Sequence, residues 1–139
     1  MTAPDQFKDR LPLVRTYKQG EIYLADDKYV STNLKKFFGW EEKLKRPIII
    51  LEDDDSNKNP HAQVLLVAPL TSTSPPTTLD IPIRQGTGQI AEDSVIQISL
   101  LFPIPKKCIG DYVGEIPIAL KEQIRKHLLK KFGIIPLSP

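Results

Sequence analysis

The chain has 139 residues, 40% of them hydrophobic and 26% charged, with a formal net charge of +2. That is enough for one domain with a real core, and too weakly basic for charge alone to name a partner. A single cysteine, Cys108, excludes an internal disulfide framework and a multi-thiolate metal site within one chain, and fits a reducing, cytoplasmic setting.

Met1 to Tyr17 is polar and proline-spaced, with Asp5, Lys8 and Asp9 and no apolar stretch. It reads as an arm rather than a signal peptide. Residues 1–19 are therefore expected to be an N-terminal arm, and residues 20–139 a single domain. No run approaches the roughly 18 apolar residues that a membrane span needs, so no membrane partner is expected. Glu21 to Asp26 alternates Ile22 and Leu24 with Tyr23 and Ala25 and reads as a strand closed by Asp26-Asp27. The connection from Lys28 to Leu44 is long, and it sets Leu34, Phe37, Phe38 and Trp40 among lysines. Connections of that length are usually functional or carry a short helix.

Two apolar runs follow, Pro47 to Leu51 and Gln63 to Leu70, joined by the acidic turn Glu52 to Pro60. Each is too short for a solitary helix and too continuous for a half-exposed strand, so the pair reads as buried neighbouring strands. Arg46 leads into the first, and Thr71 and Ser72 leave the second. Antiparallel pairing brings the start of one beside the end of the other. A guanidinium and a hydroxyl then meet at one rim of the sheet, a place suited to a phosphate.

Ser72 to Thr78 is a Ser/Thr/Pro loop. Leu79 to Ile83, with Pro82 inside it, reads as an edge strand. Gln85 to Gly88 is a turn, Ser94 to Leu101 another buried strand, and Cys108 to Glu115 a last short strand or turn. The 13 prolines favour such short, turn-rich pieces over a helical bundle. The period then changes. Leu120, Ile124, Leu128 and Phe132 recur at four-residue steps, with Leu129 widening the stripe, Pro117 before it and Gly133 after it. The expected fold is mainly β (α+β): a small, strongly curved sheet carrying one C-terminal amphipathic helix.

The order of these pieces resembles the PemK/MazF family, the toxin half of type II toxin–antitoxin pairs. The resemblance runs through Gly20 to Asp26, Lys45 to Leu51, Ala68-Pro69-Leu70-Thr71-Ser72, Asp80 to Ile83, Ser94-Val95-Ile96, Ile109-Gly110 and Gly114-Glu115-Ile116. It implies an SH3-like barrel, a homodimer restrained by a cognate antitoxin, cleaving single-stranded RNA without a metal or other cofactor. It also implies that Arg46 and Thr71 are the catalytic pair. Ser72 and Lys45 at the same rim, and Lys36 and Trp40 in the long connection, are the expected substrate contacts. Basic and aromatic residues interleaved in this way suit stacked, single-stranded nucleic acid.

Where the family carries a Gln-Ile-Arg-Thr-like segment after Ser-Val-Ile, this chain is read as Leu100-Leu101-Phe102-Pro103 and lacks the arginine. That departure defines an alternative, a catalytically degenerate barrel that binds a protein or nucleic acid without cleaving it. Other candidates have plainer readings. Arg46 could be a strand-edge residue paired with Asp53 or Glu52. His61 and His127 lie in a turn and mid-helix, with nothing to bring them together. Glu52 to Asp55 lacks the glycine and terminal glutamate of a calcium loop and reads as a solvated turn.

Overall fold

The computed structural model describes residues 16–30, 44–72 and 77–135. Seven strands form one sheet: β1 (Glu21–Asp26), β2 (Lys45–Ile50), β3 (Val64–Thr71), β4 (Ile81–Ile83), β5 (Ser94–Ile96), β6 (Phe102–Pro105) and β7 (Ile109–Glu115). The spatial order is β4-β5-β3-β2-β1-β7, with β6 pairing the first half of β3. Every described pairing is antiparallel. A short helix, α1 (Asp54–Lys58), joins β2 to β3, and α2 (Ile118–Lys131) follows β7. The mainly β architecture with a C-terminal helix stands as expected, but the sheet is not closed into a barrel.

The unbroken apolar runs have a simple cause: the sheet is buried on both faces. Ile49, Leu51, Ala68 and Leu70 join one cluster with Ile22, Ile96, Ile116 and Ile124 of α2. Ile48, Ile50, Leu65 and Val67 join the other with Tyr23, Ala25, Ile104 and Ile109. Side chains alternate faces along a strand, so a strand covered on both sides has no position left for a polar residue. Full burial of each such aliphatic side chain is worth about 1.5–3 kcal/mol.

Several local expectations change. Tyr17, assigned to the arm, is 1% exposed and packs edge-on against Tyr23, with ring centroids 5.1 Å apart. The acidic turn is largely helix α1, capped by Asp53, whose side chain accepts from the Ser56 amide at 2.6 Å. The strand expected over Ser94 to Leu101 stops at Ile96, and a 3₁₀ turn over Ile98–Leu100 redirects the chain into β6. Both prolines of β6 are tolerated because that strand pairs with β3 alone among the described strands.

The apolar stripe of α2 is also shorter than its period suggests. Ile124 is buried, Leu120 and Leu128 pack on the core, but Phe132 is 61% exposed. The helix stops because Gly133, at φ +74°, turns the chain left-handed. Its N–H then donates to Lys130 O at 2.9 Å and that of Ile134 to Leu129 O at 2.8 Å, a Schellman closure. Among the described residues, no helix is long and apolar enough to cross a membrane.

Candidate active site

Register decides the site. β2 and β3 pair through Ile48↔Pro69, Ile49↔Ala68 and Ile50↔Val67. Continued outward by two residues, that register sets Arg46 opposite Thr71, as the hairpin argument expects. Both side chains alternate onto the face of Ile48, Ile50 and Val67. On its other side Arg46 pairs with Ala25 of β1, and Thr71 pairs with Val95 of β5. The two candidate residues thus sit on neighbouring central strands, on one face, at one end of the sheet.

Both are buried, Arg46 to 2% exposure and Thr71 to 1%. The Arg46 Nε donates to Asp27 Oδ1 at 2.9 Å, and Asp27 is itself 2% exposed. Neither Asp53 nor Glu52, the partners expected for a strand-edge arginine, supplies this contact. Asp53 caps α1, and Glu52 Oε1 accepts from the Leu66 amide at 3.1 Å. The Thr71 hydroxyl has no hydrogen-bond partner among the described residues. A buried hydroxyl in that state costs roughly 1–3 kcal/mol and leaves its donor and acceptor capacity unused within the described residues.

Asp27 was legible only as the end of a strand. It opens the 3₁₀ turn Asp27–Tyr29, and its backbone is fastened on both sides. Its N–H donates to Leu44 O at 3.2 Å, and its carbonyl accepts from the Val30 N–H at 3.1 Å. The β1–β2 register could have pointed to it, because a strand closed by Asp26-Asp27 and paired antiparallel to β2 sets Asp26 beside Lys45. Asp27 then falls opposite Leu44, one diagonal step from Arg46.

The remaining expected contacts separate. Lys45 and Ser72 are exposed at the same rim, but strand alternation gives them the opposite face from Arg46 and Thr71. Lys36 and Trp40 lie outside the described residues. His127 uses Nδ1 to contact Leu79 O at 2.7 Å, and His61 lies exposed in the turn after α1. Cys108 is a half-buried free thiol.

Beyond the rim, a second polar knot forms around Asp80, which is 5% exposed. Its carboxylate accepts from the amide and hydroxyl of Thr77 at 2.9 and 3.0 Å, from the amide and hydroxyl of Ser99 at 2.9 and 3.1 Å, and from Gln97 Nε2 at 3.2 Å. These bonds tie the end of the loop that leaves Thr71 to the segment following β5. They also correct one reading. Gln97-Ile98 stands directly after Ser94-Val95-Ile96, so the first half of the Gln-Ile-Arg-Thr-like segment is retained. Ser99 occupies the arginine's place, and Leu100 to Pro103 belongs to the next turn and to β6.

Known proteins match both the sequence and this fold. A family model described as the PemK-like, MazF-like toxin of type II toxin-antitoxin systems matches residues 18–132. Endoribonuclease MazF6 of Mycobacterium tuberculosis is 25% identical over 112 residues, covering 79% of this chain and 91% of that protein. The solved M. tuberculosis toxin MazF-mt6 superposes with a TM-score of 0.64 at 19% identity, covering 84% of this chain and 99% of the other. A mycobacterial endoribonuclease in complex with its cognate antitoxin gives 0.64 at 18% identity, covering 86% and 98%. With the model matching from the turn before β1 to the end of α2, this chain belongs to the PemK-like, MazF-like toxin family of type II toxin–antitoxin systems.

Proposed function

We propose that this chain is an endoribonuclease toxin that cleaves single-stranded RNA, with Arg46 and Thr71 as its catalytic pair and no metal ion in the reaction. The observation that carries the reading is the placement of the two on one face of adjacent strands, with the Thr71 hydroxyl buried and without a partner among the described residues. In the reaction the ribose 2′-oxygen forms a bond to the adjacent phosphorus. The bond from phosphorus to the 5′-oxygen breaks, and that oxygen takes up a proton. Negative charge rises on the non-bridging oxygens in between. A planar guanidinium meets that charge with paired donors, and a hydroxyl orients or relays a proton. Held in a dry site, such donors act more strongly than they would in water.

The similarity to the endoribonuclease MazF6 supports the chemistry. The antitoxin complex among the similar structures supports a cognate antitoxin as partner. In the same reading the chain works as a cytoplasmic homodimer built on a domain over residues 20–139. Lys45 and Ser72 meet the RNA backbone where it crosses the rim, and Lys36 and Trp40 extend the contact.

The test is incubation of the purified protein with a long single-stranded RNA in EDTA, beside Arg46→Lys and Thr71→Val. Arg46→Lys keeps the charge beside Asp27 but loses the fork, and Thr71→Val keeps the shape but loses the hydroxyl. Discrete fragments from the unmutated chain, reduced about 100-fold or more in each variant, are expected. Intact RNA after incubation with folded protein would overturn the reading in favour of a domain that binds without cleaving.

A further inference from the structure

We propose that Asp27 is the positioning residue of the site: it fixes the Arg46 guanidinium about the Cδ–Nε bond before RNA arrives. The inference rests on the reading of Arg46 as the phosphate-facing group, and it concerns a residue outside the catalytic pair. Three observations support it. The bond from Arg46 Nε to Asp27 Oδ1 is 2.9 Å long with both side chains 98% buried, so solvent screens it little. Asp27 is in turn anchored through its own backbone, to Leu44 on one side and Val30 on the other. The turn that carries it is capped by the Asp26 side chain, which accepts from the Lys28 amide at 3.1 Å. The chain of restraint thus runs from β1 through a pinned turn to the guanidinium.

The strand neighbours make room for this contact. Arg46 lies directly across from Ala25, whose side chain is a single methyl, and Asp27 is two residues beyond Ala25 on the same face. A larger side chain at Ala25 would fill the path between them. Use of Nε commits one edge of a rigid, planar group, and that sets the direction of the whole fork. Preorganisation of this kind acts on the transition state, where the geometry of charge matters most. The carboxylate also offsets the positive charge that draws RNA in. Asp27 therefore lowers ground-state attraction while raising the rate of the chemical step, an opposition that a purely structural residue does not produce.

Two measurements on Asp27→Asn and Asp27→Ala separate the outcomes. The first is steady-state cleavage of a short single-stranded RNA, corrected for the folded fraction. We expect kcat to fall about 10- to 100-fold while KM stays level or falls. The second needs no activity: hydrogen exchange of the Arg46 Nε–H followed by NMR, its signal assigned by its absence in Arg46→Lys. Exchange about 10-fold faster in either variant is expected. If Asp27→Ala does not fold, the nearly isosteric Asp27→Asn still decides, because a neutral amide holds the Nε–H more weakly than a carboxylate. Unchanged kcat with unchanged exchange in Asp27→Asn would overturn the proposal, as would a loss of activity that follows the folded fraction alone. If the unmutated chain does not cleave RNA, the functional reading fails, and the Nε–H exchange still shows whether Asp27 fixes the guanidinium.

Discussion

At the scale of single residues, the site sets stability against function. The Thr71 hydroxyl is desolvated without a partner among the described residues, so replacing it with a methyl group removes a cost. Thr71→Val is expected to raise stability by about 1 kcal/mol, or roughly 2–4 °C in Tm for a domain of this size, while cleavage is lost. Thermal unfolding of the variant checks the sign. Arg46 behaves in the opposite way. Deleting it takes a charge partner from the Asp27 carboxylate, at 2% exposure, so Arg46→Ala is expected to cost about 3–5 kcal/mol. Adding Asp27→Ala should restore part of that loss, and urea titrations of the two single variants and the double variant measure the coupling. For this reason Arg46→Lys, not Arg46→Ala, is the cleaner test of chemistry.

At the scale of elements, the knot around Asp80 links two parts of the chain that lie 17–19 residues apart. It joins the stretch from Thr77 to Asp80 that leads into β4 to the turn after β5. The last helix grips the same region, with His127 at Leu79 O and Lys131 Nζ donating to Ser99 O at 3.3 Å. Asp80→Ala leaves the buried Gln97 amide and the Ser99 N–H without their acceptor. A loss of about 3 kcal/mol is expected, read from the urea midpoint. The helix itself was largely legible, since its four-residue period named Ile124 as a core residue and Gly133 as its stop. Phe132 departs from the expected stripe because it lies past the helix's last residue, Lys131, where the chain turns away at Gly133. A helical pattern says which residues share a face, not how far that face is covered.

At the scale of the whole molecule, burial of the sheet on both faces makes its centre equally intolerant at consecutive positions. Ile48 and Ile49 point to opposite clusters and are both fully buried. Ile48→Ala and Ile49→Ala are each expected to cost about 2–5 kcal/mol, whereas a sheet with one wet face would tolerate one of the two. Chemical unfolding of the pair tests it.

The class of the fold and the central strand pair were legible in the sequence, and so was the expectation that Arg46 and Thr71 share one end of that pair. These follow from local signals, because apolar runs bounded by breakers mark buried strands and an antiparallel hairpin fixes which ends are adjacent. What surrounds that pair depends on contacts between strands distant in the chain. Asp27 reaches Arg46 through pairing with a third strand, and the sequence offered Asp53 and Glu52 as nearer candidates. Asp80 meets Gln97 and Ser99 from a segment 17–19 residues away, and nothing in either segment marks the contact. The turn at Ile98–Leu100 broke an apolar run that reads as one strand. Hydrophobic patterning is written residue by residue, whereas the partner of a buried charge is chosen by whichever strands fold beside it.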